Sequence, residues 1–212
     1  MKRISFISTF LLSISFTISS QVINEYGIKV GLNSAYQTSY LETRSYGSSE
    51  NRLGYNIGIF ASFINNNYFN LLIEPRITQK GFSENFENLG TIKPSLTYFT
   101  LSFLGKPKAK FNFITGYLLA GISANWLINK NEDIFNGIFE SVKHNSVSLV
   151  AGIGVQKNIF KKNSISMEVK YDYEIQDNRI HDFQYNGNLY FFEYGQTFRN
   201  KTFEFNLGVG FR

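Results

Sequence analysis

The sequence predicts an all-β fold: eight antiparallel strands in up-and-down order, closed into a transmembrane β-barrel with a polar, small-residue lumen and an apolar, lipid-facing exterior. Three observations carry that expectation. Apolar and polar residues alternate with a period of two in almost every segment after residue 21, the signature of strands rather than helices. Long polar connections and short turns follow one another in strict alternation, so all the long loops fall at one end of the meander. The polar faces of the strands are crowded with glycine, which a water-facing surface has no need of and which weakens a strand.

Ahead of the strands, Met1, Lys2 and Arg3 form a short cationic start. An apolar stretch from Ile4 to Ile18 follows, then Ser19, Ser20 and Gln21. This order is that of a secretory signal peptide over residues 1–20, cleaved after Ser19 or Ser20. The alternative, an uncleaved anchor, would need the roughly 20 apolar residues that a bilayer requires. Residues 21–212 then form the barrel domain.

The first strand sets Tyr26, Ile28, Val30 and Leu32 against Gly27, Lys29, Gly31 and Asn33. The second sets Leu53, Tyr55, Ile57 and Ile59 against Gly54, Asn56 and Gly58, and the third Leu71, Ile73, Pro75 and Ile77 against Glu74, Arg76, Thr78 and Lys80. Less regular strands run from about Ser95 to Leu104 and from Phe111 to Ile128. The sixth alternates Val147, Leu149, Ala151, Ile153 and Val155 with Ser148, Gly152, Gly154 and Gln156. The seventh alternates Ile165, Met167, Val169, Tyr171 and Tyr173 with Glu168, Lys170, Asp172 and Glu174, and the eighth Phe203, Phe205, Leu207, Val209 and Phe211 with Thr202, Glu204, Asn206, Gly208 and Gly210. Long loops are expected at 38–51, 81–94, 129–145 and 175–200, and short turns at Asn65–Asn67, Lys106–Lys110 and Lys157–Asn163. Ten residues at about 3.3 Å, tilted roughly 45°, rise about 23 Å, close to the apolar band of outer-membrane barrels.

Which face looks inward follows from volume. The apolar face carries large residues on every strand, too many for the interior of an eight-stranded barrel, whereas small residues suit a lumen just wide enough for side chains. On this orientation Lys29, Arg76, Lys80 and Lys170 share the lumen with Glu74, Glu168, Asp172, Glu174 and Glu204. Near-balanced charge in a narrow interior points to an ion-pair network and not an open channel, because unpaired buried charge costs several kcal/mol. Lys170 and Glu204 lie mid-strand on adjacent strands and could pair directly. Tyr26, Trp126, Tyr171, Tyr173, Phe203 and Phe211 fall near strand ends, where aromatic girdles form at membrane interfaces; buried core aromatics are the other reading.

Composition narrows the function. The absence of Cys excludes a disulfide scaffold, a thiolate metal site and a Cys nucleophile. A net charge of +5, which falls to +3 without Lys2 and Arg3, is too small to indicate nucleic-acid binding. His144 and His181 are the only histidines. His181 and Asp182 lie beside Asp177 and Arg179, and His144 beside Asn145 and Ser146, but neither group has the spacing of a metal site or a fixed triad. The expectation is therefore no catalytic, metal or cofactor site. Basic turns at Lys106, Lys108 and Lys110 and at Lys157, Lys161 and Lys162 would face the periplasm, toward phospholipid headgroups, an acidic partner or solvent alone.

The motifs also resemble the PorT-like outer-membrane β-barrel family, related in shape to OmpX- and OmpA-type barrels. The matching pieces are Gly27 to Asn33, Gly58-Ile59-Phe60, Glu74 to Phe82, Tyr98 to Lys106, Leu118 to Gly121, and Gly152-x-Gly154. The resemblance implies an outer-membrane location and no shared catalytic residue. The expected role is structural or binding, through the long extracellular loops: a surface loop presenter, an envelope-stabilising protein, or an accessory to a secretion complex, the last as the family resemblance implies. Two alternatives are a lipid A-modifying enzyme, acyltransferase or deacylase, and a soluble lipocalin-like periplasmic barrel. The expected partners are outer-membrane lipids, with a protein partner at the loops or the basic turns.

Overall fold

The computed structural model describes residues 23–40, 47–64, 66–81, 83–86, 90–92, 95–130, 144–160, 162–176, 178–180, 183–185, 188–190 and 196–212. The predicted signal peptide lies outside them. Eight long strands form the barrel: β1 (Ile23–Tyr40), β2 (Arg52–Phe63), β3 (Phe69–Gly81), β4 (Ser95–Phe111), β5 (Ile114–Lys130), β6 (Asn145–Phe160), β7 (Asn163–Glu174) and β8 (Gln196–Phe211). Each pairs antiparallel with the next. β1 pairs with β8 from Tyr26↔Phe211 to Tyr40↔Thr197, which closes the cylinder and leaves no free edge. With 12 to 18 residues each, the strands exceed the 9–11 or so needed to cross a bilayer.

The strand faces follow the sequence alternation. Along β8, Thr202, Glu204, Asn206, Gly208 and Gly210 are buried, while Phe203, Phe205, Leu207, Val209 and Phe211 are exposed. The exposed set includes Leu53, Ile59 and Leu118 at 79%, 59% and 57%. Water would penalise such a surface far beyond the few hundred Å² of apolar patch that a soluble monomer shows. From Tyr26 to Tyr36 on β1, from Leu53 to Phe63 on β2 and from Phe203 to Phe211 on β8, the outward face carries no charge. On the eight barrel strands, the outward-facing charges among the residues whose side chains are described are Lys157, Arg199 and Lys201, all near strand ends and all basic.

The lumen is not wholly polar. Phe60, Leu72, Leu104, Tyr117, Leu119 and Val150 point inward and form one apolar cluster along β2 to β6. Alternation in β4 and β5 is blurred because both faces carry large apolar residues, which is why these two strands are the less regular ones in the sequence.

Two further features correct the sequence expectation. Lys106 to Lys110 are not a turn: β4 continues to Phe111, and the reversal falls at Asn112, whose φ is 44°. Pro107 is tolerated because the β4–β5 ladder skips Lys106 and Pro107 and resumes in the same register at Lys108↔Tyr117. The long loops also contain strands. Gly47–Glu50 pairs with Ser83–Phe86, which pairs with Gly90–Ile92, so the first two long loops share a three-stranded sheet. Within 175–200, Asn178–Ile180 extends the barrel along β8, and Phe183–Tyr185 forms a hairpin with Asn188–Tyr190.

Candidate functional site

The barrel's closure brings the charges of β1, β3, β7 and β8 together inside it. Lys29 Nζ donates to Glu74 and to both oxygens of Glu168, at 2.7 and 2.9 Å. Lys170 Nζ donates to the other Glu74 oxygen at 2.7 Å. Glu74 therefore sits between two ammonium groups, one from β1 and one from β7. Arg76 donates to Glu204 and approaches Asp172 at 3.5 Å, and Lys80 reaches Asp172 at 3.4 Å. Ser123 adds a hydroxyl to Asp172 at 3.2 Å. Glu174 lies at the long-loop end, where it accepts from the Asn200 side chain at 2.5 Å and the Asn200 amide at 3.3 Å.

All nine lumen residues singled out in the sequence are thus buried in the interior, eight of them linked in one network. Lys170 and Glu204 are directly opposite in register, as the sequence indicated. Their charged atoms are 3.8 Å apart, however, and each has a nearer partner on β3 across the lumen.

Sequence reasoning missed the layer nearest the short turns. Glu25 accepts from Gln156 at 2.6 Å and from Ser164, and Lys106 donates to Gln156 at 3.0 Å. The Lys106 ammonium lies 3.9 Å from the Tyr117 ring centroid, and Tyr117 donates its hydroxyl hydrogen to Glu168 at 2.8 Å. The available signal was parity: Lys106 is in step with Thr100, Ser102 and Leu104, and Glu25 with Lys29. Among the described residues, five basic groups (Lys29, Arg76, Lys80, Lys106, Lys170) and six acidic ones (Glu25, Glu74, Glu168, Asp172, Glu174, Glu204) are buried.

The lumenal glycines make room for this network. A Cβ on Gly154 would lie 2.5 Å from two carbons of the Tyr117 ring, and one on Gly152 2.9 Å from Lys170 Cγ. Tyr117 cannot swing aside without leaving both Lys106 and Glu168. Gly154→Ala is expected to lower the unfolding free energy in lipid vesicles by about 1–3 kcal/mol, the usual cost of overpacking. Combining it with Tyr117→Leu should remove most of the added penalty, and a Gly154→Ala barrel as stable as wild type would show that the ring is free to move.

The six aromatic residues expected at the interfaces all point outward. Tyr26 packs on Phe211 (ring centroids 5.9 Å apart) at the short-turn end, and Tyr171 on Phe203 (4.8 Å) toward the long loops. Trp126 packs on Phe99 at 5.7 Å, and Tyr173 accepts a hydrogen bond from Arg199 at 2.8 Å. Of the basic turn residues, Lys106 is in the lumen, Lys108 and Lys110 donate to Asn70 and Asn67 at 2.8 and 3.3 Å, and Lys157 lies 5.5 Å from the Phe113 ring. His144 is exposed just before β6, whereas Ser146 is buried against Asn125. His181, Asp177 and Lys161 lie outside the described residues.

No protein-family model and no curated protein matches this chain. Solved structures do. The outer-membrane protein OprG from Pseudomonas aeruginosa superposes with a TM-score of 0.61 at 11% identity, over 90% of this chain and 96% of that one. Neisserial surface protein A gives a TM-score of 0.48 at 13% identity over 88% and 96%, and Escherichia coli outer membrane protein W 0.46 at 15% over 88% and 97%. The first of these, with the closed eight-strand register, fixes the architecture: the chain has the fold of the small outer-membrane β-barrels.

Proposed function

We propose that this protein is a non-enzymatic component of the outer membrane of a Gram-negative bacterium, exported by a cleaved signal peptide. Its strands serve as a rigid scaffold and its long loops as a binding surface. The observation that carries the reading is the inversion of the barrel, with a charge-free apolar belt outside and a paired charge network inside. Ion pairs and the Phe60–Val150 cluster pack the described interior, which supports the loop end as the working surface. There the shared sheet of the first two loops ties them into one platform, a better docking surface than independent loops because less entropy is lost on binding. Together with the PorT-like motifs, this platform supports a role as accessory to a secretion or envelope complex.

The chain has no Cys, so single cysteines report topology without background. His144→Cys, at the loop end, is expected to react with a membrane-impermeant maleimide on intact cells. Ala109→Cys, at the opposite end, should react only after the outer membrane is permeabilised. Labelling of both in intact cells, or recovery of the protein in the soluble periplasmic fraction, would overturn the assignment.

A further inference from the structure

The outward face of the barrel holds a second cluster, at the loop ends of β1, β7 and β8, that the lumen network does not touch. Lys201 pairs in register with Tyr36 on one side and Tyr173 on the other, and its ammonium lies 5.6 and 5.8 Å from the centroids of their rings. Arg199, two residues further along the same face, donates to the Tyr173 hydroxyl at 2.8 Å and stands 6.0 Å from that ring. Directly below, toward the membrane centre, Phe203 and Tyr171 stack at 4.8 Å, and the apolar belt begins. Lys201 has no carboxylate partner among the described residues.

We infer that this cluster is a binding site for a phosphate group of lipid A, the anionic glycolipid of the outer leaflet. The inference rests on the membrane orientation proposed above. The chemistry favours it on four counts. Long basic side chains at the edge of an apolar belt extend their ammonium or guanidinium groups to headgroup level. A rim in contact with water alone would mix both signs of charge, yet the outward charges described at the loop ends of the eight barrel strands, Arg199 and Lys201, are both basic, which complements an anionic leaflet. Lys201 supplies a point charge and Arg199 a planar fork suited to phosphate oxygens. Tyr36, Tyr171 and Tyr173 add rings with a polar edge at the depth where a phosphorylated sugar joins its acyl chains. The acyl chains would then lie along Phe203, Phe205 and Leu32.

The test uses the full mature barrel, immobilised in detergent micelles with EDTA present and first shown to be folded by its mobility shift on heating. It is offered bisphosphorylated lipid A, or the same lipid after phosphatase treatment, and retained lipid per barrel is measured by mass spectrometry. Wild type should retain the phosphorylated form roughly tenfold better. Lys201→Ala/Arg199→Ala should bring the two to parity, while Lys157→Ala, at the other end, should keep the preference. Lys201→Gln/Arg199→Gln is the reserve variant if the alanine pair does not fold. Absence of preference in wild type, its survival in the double variant, or its complete loss to excess inorganic phosphate would each overturn the site. A wild-type protein without a heat shift would instead remove the membrane-barrel reading beneath it.

Discussion

Glu74→Gln is expected to lower the unfolding free energy of the barrel by about 3–5 kcal/mol, the largest loss for any single lumen position, because it strands buried charge. Glu74 is 2% exposed and, among the described residues, is the one carboxylate that hydrogen-bonds both Lys29 and Lys170. The amide can still accept a hydrogen bond from one ammonium, but it offsets neither charge. Glu168 would then face Lys29 and Lys170 with half the compensation. Burying a charge is tolerable only when paired, so removing Lys170 as well should restore much of the loss: Glu74→Gln/Lys170→Met is expected to be more stable than Glu74→Gln alone. Trp126 is the only tryptophan and sits on the outward face of β5, so its fluorescence reports urea unfolding from vesicles in every variant. A single-variant loss below about 1 kcal/mol would match a water-exposed ion pair, and would mean that the lumen is hydrated like a pore.

The strand faces were legible because a side-chain period of two depends only on local backbone geometry. Lys29, Glu74, Lys170 and Glu204 could therefore be placed inside before any partner was known. Which of them meet could not be read, since Lys29 and Glu168 are 139 positions apart and are joined by barrel closure and shear, to which no short window of sequence is sensitive. Adjacent-strand register allowed the Lys170–Glu204 pairing to be anticipated, but long flexible side chains reached across the lumen to β3 instead. Lys106 was hidden by Pro107 and two neighbouring lysines, which together read as a turn. The three-stranded sheet of the first two loops was hidden for a related reason: segments such as Gly47–Glu50 are too short to show alternation. What remained unreadable was set by tertiary contact across the lumen and, at Lys106 and the loop strands, by local composition and length.

Val30→Lys separates the membrane orientation from a soluble barrel with a solvated exterior by the size of its effect. Val30 lies midway along the charge-free part of β1, between Tyr26 and Ser34, is 47% exposed, and is flanked by Ile57 and Leu207. In a membrane barrel a lysine at that depth must extend toward a distant interface or draw water inward, at a cost of about 2–4 kcal/mol. Ser34→Lys, four residues nearer the loops on the same outward face, should cost only about 0–1 kcal/mol because depth controls the penalty. In a soluble barrel both positions would be solvated surface, where a lysine changes stability by no more than about 0.5 kcal/mol. Urea unfolding from vesicles of the two variants therefore yields a difference that lumen packing cannot mimic, since neither side chain enters the interior. A penalty at Val30 that exceeds the one at Ser34 by about 2 kcal/mol or more is expected. Equal and small effects would instead match a solvated surface and overturn the membrane orientation.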